Sequence, residues 1–439
     1  MADLKQAALR MFRETLAAID IPLAMRRKLG RAGSRIFVNA APFELAAFER
    51  ICTVAFGKAS VAMARGLADL LSPDFHTEGI VVAPNVSSSL PEGFREIVAG
   101  HPVPNQGSFA AGRAILDLLA SANQHTLVFF LLSGGGSALV ELPLDPGVTL
   151  EDMQALNRVL VTCGASIGEI NAVRKHLSAV KGGRMAVAAG SAMKITLGVT
   201  DVPEGQESAL ASGPTLPDPT TVSDACGVVR RYDLLSRLPA NVRKSFEHPE
   251  SFPETPKAGE PAFDPRRAVF QILLGRHDLF HAAHRASESA EFITVCDNTT
   301  DNWPVEKAVD FLLAQLGALK EVNPAKSVAV IADGEVSSPV TGDGVGGRNL
   351  AFVLDAVKKI ASRKIAVLSA GTDGVDGSSP AAGAAADGET LARAQFLGLD
   401  PGDYFRRSDS YAFFRALGDA IETGPTGNNL RDLRILLAE

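Results

Sequence analysis

The sequence predicts an α/β protein in two domains, built on parallel sheets with helices on both faces. Three observations lead there. Short β-branched or aliphatic runs recur at residues 51–56, 79–83, 127–132, 194–199, 269–274, 292–295, 327–331 and 365–369, each closed by glycine or polar residues. Stretches with helical spacing lie between them, at 109–121, 150–162, 304–319 and 349–362. Continuous apolar strands alternating with helices are the pattern of strands buried on both faces. A length of 439 residues allows two or three domains, and a stretch with five prolines between Pro249 and Pro265 shows no periodicity. A loop that long is uncommon inside a compact domain, so the boundaries expected are 1–248, a linker at 249–265, and 266–439.

Each element has its own support. Residues 1–20 space their apolar side chains as an amphipathic helix, with Asp3, Lys5, Arg10, Arg13 and Glu14 distributed throughout. That pattern lacks the apolar core of a signal peptide. The run Leu127 to Leu132 belongs to the most apolar stretch, yet it is far shorter than the roughly 20 residues that span a bilayer. Hydrophobic residues make up 46% of the chain, with 40 glycines, too apolar for disorder and too glycine-rich for a helical bundle. The formal charge is −7, from 43 basic and 50 acidic residues, with no basic block; this argues against nucleic acid as a partner. Cys52, Cys163, Cys226 and Cys296 are dispersed and form no CxxC pair, so neither a disulfide framework nor a thiolate zinc site is expected. A soluble cytoplasmic protein is the expectation, without a membrane partner and with a homodimer as the candidate assembly.

The chemistry is expected at the carboxyl ends of strands, where open α/β sheets bind ligands. The strand ending at Leu132 runs into Ser133-Gly134-Gly135-Gly136-Ser137. Successive glycines let backbone N–H groups converge on an anion, and the two serines add hydroxyl donors; a tight turn is the plainer alternative. Lys58 follows the first strong strand in Phe56-Gly57-Lys58-Ala59. The upstream glycine of a Walker loop is missing there, so Lys58 is a phosphate-contact candidate by position only. Gly342, Gly344 and Gly347 match GxGxxG, but the preceding strand ends about ten residues too early for a dinucleotide turn. That loop is read instead as carrying Gly346, Gly347, Arg348 and Asn349 to a helix start that could bind phosphate. Arg174, Lys175, His176, Lys181 and Arg184 cluster within an acidic chain and suit an anionic substrate, with Arg174 and Lys175 assigned to its carboxylate. Asp201, Glu335 and Asp373 follow strands and are candidates to hold Mg²⁺ or to accept a proton. Any one of them could equally be a turn former.

Taken in order, Gly57-Lys58, Gly100-His101-Pro102-Val103-Pro104, Ser133 to Leu139, Val173 to Ser178 with Lys181-Gly182-Gly183, Thr200 to Pro203, Ala211 to Pro214, Gly346 to Asn349, Gly371 to Gly374 and Thr423 to Gly427 resemble the class II glycerate kinases, the MOFRL family, over nearly the whole chain. The resemblance implies a Rossmann-like N-terminal domain, a MOFRL C-terminal domain and an active site in the cleft. It also implies ATP-dependent phosphorylation of D-glycerate at the 2-hydroxyl, with Lys58 and Arg348 on the catalytic lysine and arginine. Some members carry the name hydroxypyruvate reductase, so an NAD(P)H-dependent reductase is the alternative. The chain departs from the family pattern at Leu350, Ala351 and Pro380, which leaves the exact hydroxy acid open.

Overall fold

A computed structural model describes residues 3–87, 89–200, 202 and 205–439. The chain divides into two compact units, Ile21–Leu274 and a second that joins the first twenty residues to Gly275–Glu439. The first unit is built on a six-stranded sheet, β1 (Arg50–Phe56), β2 (Glu78–Ala83), β3 (Phe94–Val98), β4 (Thr126–Ser133), β5 (Met193–Val199) and β6 (Ala268–Leu274). All five pairings are parallel, and the spatial order is β3-β2-β1-β4-β5-β6. This is the 3-2-1-4-5-6 order of a doubly wound sheet, whose direction of progression reverses between its first and fourth strands. Phe56 pairs with Leu132 at that reversal. Every residue of β4 is buried, which explains its unbroken apolar sequence. A small antiparallel sheet within residues 31–44 completes the strands of this unit.

The second unit carries β7 (Ile293–Asp297), β8 (Val328–Asp333), β9 (Ile365–Gly371), β10 (Gly383–Asp387), β11 (Ala420–Ile421) and β12 (Asp432–Ala438), in the order β7-β8-β12-β9-β10-β11. Only β7 and β8 pair in parallel; β12 runs antiparallel to both β8 and β9. The expectation of parallel sheets therefore holds for the first unit and gives way to a mixed sheet in the second. The reason is β12: its residues are all buried, and a buried run reads alike in either direction.

The units also divide the chain differently from the expected boundaries. Helix α1 (Leu4–Ala18) packs on β9 and β12, and Lys5 pairs with Asp387 and Asp419 of the second unit. Residues 249–265, expected as a linker, lie inside the first unit, because the chain beyond them returns to add β6 alongside β5.

Candidate active site

The reversal of strand order in the first sheet brings two turns together. Gly57 follows β1 with φ +125°, and a Cβ there would overlap the side chain and carbonyl of Ser133. No L side chain fits that approach. The turns are stitched by Lys58 N donating to the Gly134 carbonyl at 2.9 Å and Ala59 N donating to Ser133 Oγ at 3.0 Å. Helix α2 (Ser60–Leu71) begins immediately after, leaving the half-buried Lys58 at the carboxyl edge of the sheet. Gly135 has φ +84°, and a Cβ on it would lie 2.9 Å from His101 Cδ2 and 3.5 Å from Lys58 Cγ. Lysine, glycine turn and imidazole thus pack against one another.

Beside them opens a cavity of about 200 Å³, walled by His101, Gly135, Ser137, Asn157 and Arg174. Arg174 comes from α5 (Ile167–Leu177) and Asn157 from α4 (Leu150–Val161), and the guanidinium donates to Asn157 Oδ1. Burial works against the Arg174 charge and lowers its pKa, while Glu141 offsets part of that effect. Ser137 hydrogen-bonds to Ser212 at 2.8 Å.

Several sequence assignments change here. Ser133 is fully buried and occupied by the Ala59 amide, so it holds the elbow together instead of facing a ligand. Gly136 is buried, with Phe56 and Ala211 where a Cβ would stand. Lys175 does not join Arg174: it is buried and paired with Asp218 at 3.2 Å. Neighbouring helical residues point about 100° apart, so the two cations cannot share one wall. Lys181 is buried against Glu141 at 2.6 Å, and His176 is buried against the Ala172 carbonyl. Of the basic cluster, Arg174 is the cation that lines this cavity.

In the second unit Arg348 opens α6 (Arg348–Lys359). Its Nη1 donates to Glu335 at 2.7 Å and its Nε to Asp432 at 2.5 Å. Burial opposes the guanidinium charge, but Asp432 and Glu335 outweigh it and raise the pKa. Asn349 is buried, accepting from Ser369 Oγ at 2.6 Å and donating to Asp376, so it braces the helix start and does not face a phosphate. Gly347 is extended, and a Cβ on it would overlap Asp376. Gly346 exchanges hydrogen bonds with Ser378. Gly342 and Gly344 lie against the backbone of Arg407, so the GxGxxG pattern serves packing. Leu350 and Ala351 are core residues, which turns two of the departures from the family pattern into packing positions.

Two of the three metal candidates lie among the described residues, each with a partner of its own. Asp201 lies outside the described residues. Glu335 receives Arg348, and Asp373 accepts the Val375 amide at 3.2 Å. Among the described residues no group of three or more His, Cys, Asp or Glu is placed to hold a metal ion. Among them, too, no helix is long and apolar enough to cross a membrane.

Sequence reasoning gave no role to His101, Asn157 or Asp432. The signal for His101 was available, because Gly100-His101-Pro102 follows β3, a strand whose sequence Phe-Arg-Glu-Ile-Val is too mixed to stand out.

A doubly wound sheet with a lysine, a glycine elbow and a small cationic cavity at its switch point defines an α/β enzyme acting on small anions. The chain matches the domain of unknown function DUF4147 over residues 7–247 and the MOFRL family over residues 328–432. The D-glycerate 2-kinase of Thermotoga maritima is 33% identical over 99% of this chain and 98% of its own. A crystal structure of a glycerate kinase from that organism superposes with a TM-score of 0.85 at 32% identity, covering 99% of both chains. An Agrobacterium vitis protein provisionally named a hydroxypyruvate reductase is 37% identical over 88% of this chain and 87% of its own. The chain belongs to this MOFRL family, with its DUF4147 region ahead of its MOFRL region.

Proposed function

We propose that the protein is an ATP-dependent kinase that phosphorylates the 2-hydroxyl of D-glycerate. The observation that carries the reading is the meeting of Lys58, Gly135 and the Arg174-lined cavity at the switch point of the first sheet. A space of about 200 Å³ is large enough for a three-carbon acid, so the substrate is placed in this cavity. Arg174 takes the substrate carboxylate, held in orientation by Asn157. Lys58 and the backbone of Gly134 and Gly135 neutralise phosphate charge, which is the main demand of phosphoryl transfer. Arg348 enters as a cation already balanced by Asp432 and Glu335, and reaching a phosphoryl group means exchanging one of those partners.

The ATP carries Mg²⁺ on its phosphates in this proposal, since such sites usually take only one or two protein carboxylates. No step is assigned to the ion. Cytoplasmic placement is supported by four cysteines that form no disulfide; homodimeric assembly is kept as a proposal for solution measurement.

The test is a screen of three- and four-carbon hydroxy acids with ATP and Mg²⁺, read as ADP release, beside NAD(P)H oxidation with hydroxypyruvate. D-glycerate should give the highest ATP-dependent turnover. Nicotinamide oxidation without ADP release would replace the kinase with a reductase. Against that alternative stands the turn after β1, which offers one glycine and then Lys58 where a dinucleotide pyrophosphate needs a glycine-rich approach.

A further inference from the structure

The geometry points to His101 as the residue that accepts the proton of the attacking hydroxyl. The inference rests on the kinase reading and deepens it, because that reading names the groups that hold charge and leaves the proton without a destination. Among the described residues three titratable side chains line the cavity: His101, Glu141 and Arg174. Arg174 stays a cation at any working pH. Glu141 is buried, with one oxygen accepting from Ser178 Oγ at 2.6 Å and the other from Lys181 Nζ at 2.6 Å, so both its oxygens are engaged. His101 stands at the mouth, open to solvent on one side, with its ring against Gly135 and the Lys58 stem. No hydrogen bond from a described residue holds either ring nitrogen.

The charge around the ring favours the form that can accept a proton. Partial burial, and then the nearby Lys58 ammonium, hold the His101 pKa below its ordinary 6.5. The imidazole is therefore neutral at pH 7, and one nitrogen carries a lone pair. As the substrate hydroxyl oxygen forms its bond to the γ-phosphorus, its proton passes to that nitrogen. The bond from the γ-phosphorus to the bridging oxygen breaks, and ADP leaves with the electron pair. The imidazolium then releases its proton to solvent, which its position at the mouth allows. Lys58 alongside hastens that release by like-charge repulsion.

Turnover of the full-length protein, of His101→Gln and of His101→Ala is measured from pH 5 to 9 with ATP, Mg²⁺ and D-glycerate, with thermal unfolding recorded for each. In the wild type kcat should fall on the acid side with a one-proton slope. His101→Gln should lose about 100-fold or more in kcat with KM for D-glycerate changed less than about threefold, and the acid limb should vanish. Added imidazole should restore part of the turnover of His101→Ala, an effect that a packing role against Gly135 does not produce. A His101→Gln protein with near-normal kcat, or one that keeps the acid limb, overturns the assignment while leaving the kinase intact. A wild-type protein that releases no ADP with D-glycerate removes the kinase reading and this inference together.

Discussion

The two units present the same sequence signature, glycines beside a cation near the carboxyl end of a strand, and put it to opposite uses. In the first unit Gly57 and Gly135 take positive φ and pack closely on Ser133 and His101, a backbone reversal that sets Lys58 and His101 beside a cavity. In the second, Gly342, Gly344 and Gly347 pack as closely, on Arg407, Asp409 and Asp376, but none of the three takes a positive φ. The cations differ likewise. Arg174 hydrogen-bonds a neutral partner, Asn157, with the Glu141 charge acting on it from nearby, while Arg348 is clasped by two carboxylates. A glycine-rich run next to a basic residue is therefore the stronger anion-site candidate where the backbone reverses at positive φ and the cation is not already hydrogen-bonded to carboxylates. In the first unit Gly135 and Arg174 fit that description.

The sharpest way to break that contrast is to remove the Lys58 charge while keeping its stem. Lys58→Met should lower kcat/KM with D-glycerate by about a thousandfold, the scale seen when a single charge-stabilising donor is lost. Its thermal midpoint should move by only a few degrees, because the Gly57 to Ser133 stitching uses backbone and Ser133. ADP release and a thermal melt on the same preparation check both halves. Turnover within tenfold of wild type would take the lysine out of the chemistry.

A smaller effect is expected at Arg348, and mainly in stability. Arg348→Ala leaves Asp432, which is almost wholly buried, without its cation. The expected cost is about 1–3 kcal/mol. The carboxylate partners thus give Arg348 a part in folding beside the catalytic one that the resemblance implies. Adding Asp432→Asn should recover much of the lost stability in a urea titration, since it removes the stranded charge. Turnover of the double variant separates the two roles: recovery of activity along with stability makes Arg348 structural, whereas a stable and inactive protein places it in the reaction.

Most of the first unit was legible because its strands obey one rule. Runs buried on both faces are continuous and apolar, and five of its six sheet strands were visible that way, with Lys58 and the Ser133 to Ser137 turn found from their ends. What escaped notice has physical reasons. β3 is an edge strand with a single buried residue, Ile97, so it carries no continuous run, and His101 beyond it went unassigned. Lys175 and Ser133 were placed in the site because residue type was visible and direction was not. Helix phase turns Lys175 toward Asp218, and the elbow consumes the Ser133 hydroxyl. Asp432 was hidden because its relevance depends on β12 entering the middle of a mixed sheet, a pairing no local pattern records.

The glycine loop of the second unit also predicts where pH should act on stability. Asp376, under Gly347, accepts from the Asn349 and Leu350 amides at 3.1 and 2.8 Å and so caps α6. Burial, with the Asp432 charge adding to it and the amide donors opposing it, pushes its pKa up to about 7. A carboxyl raised in the folded state binds its proton more tightly there than in the unfolded chain. Its contribution is then fully present below the ordinary carboxylate range and is lost as pH rises from about 4 through about 7. Asp376→Asn cannot titrate, and its amide turns an N–H toward the Leu350 N–H, so at pH 5 it should be less stable by about 1 kcal/mol, the usual worth of a cap. By pH 8 the gap should close and reverse, because only the wild type loses proton-linked stability, about 1.4 kcal/mol per pH unit between about 4 and 7. Urea midpoints of both proteins at pH 5, 6, 7 and 8 measure the difference directly. Parallel pH dependences would mean that Asp376 is ionised throughout, with the helix amides outweighing its burial.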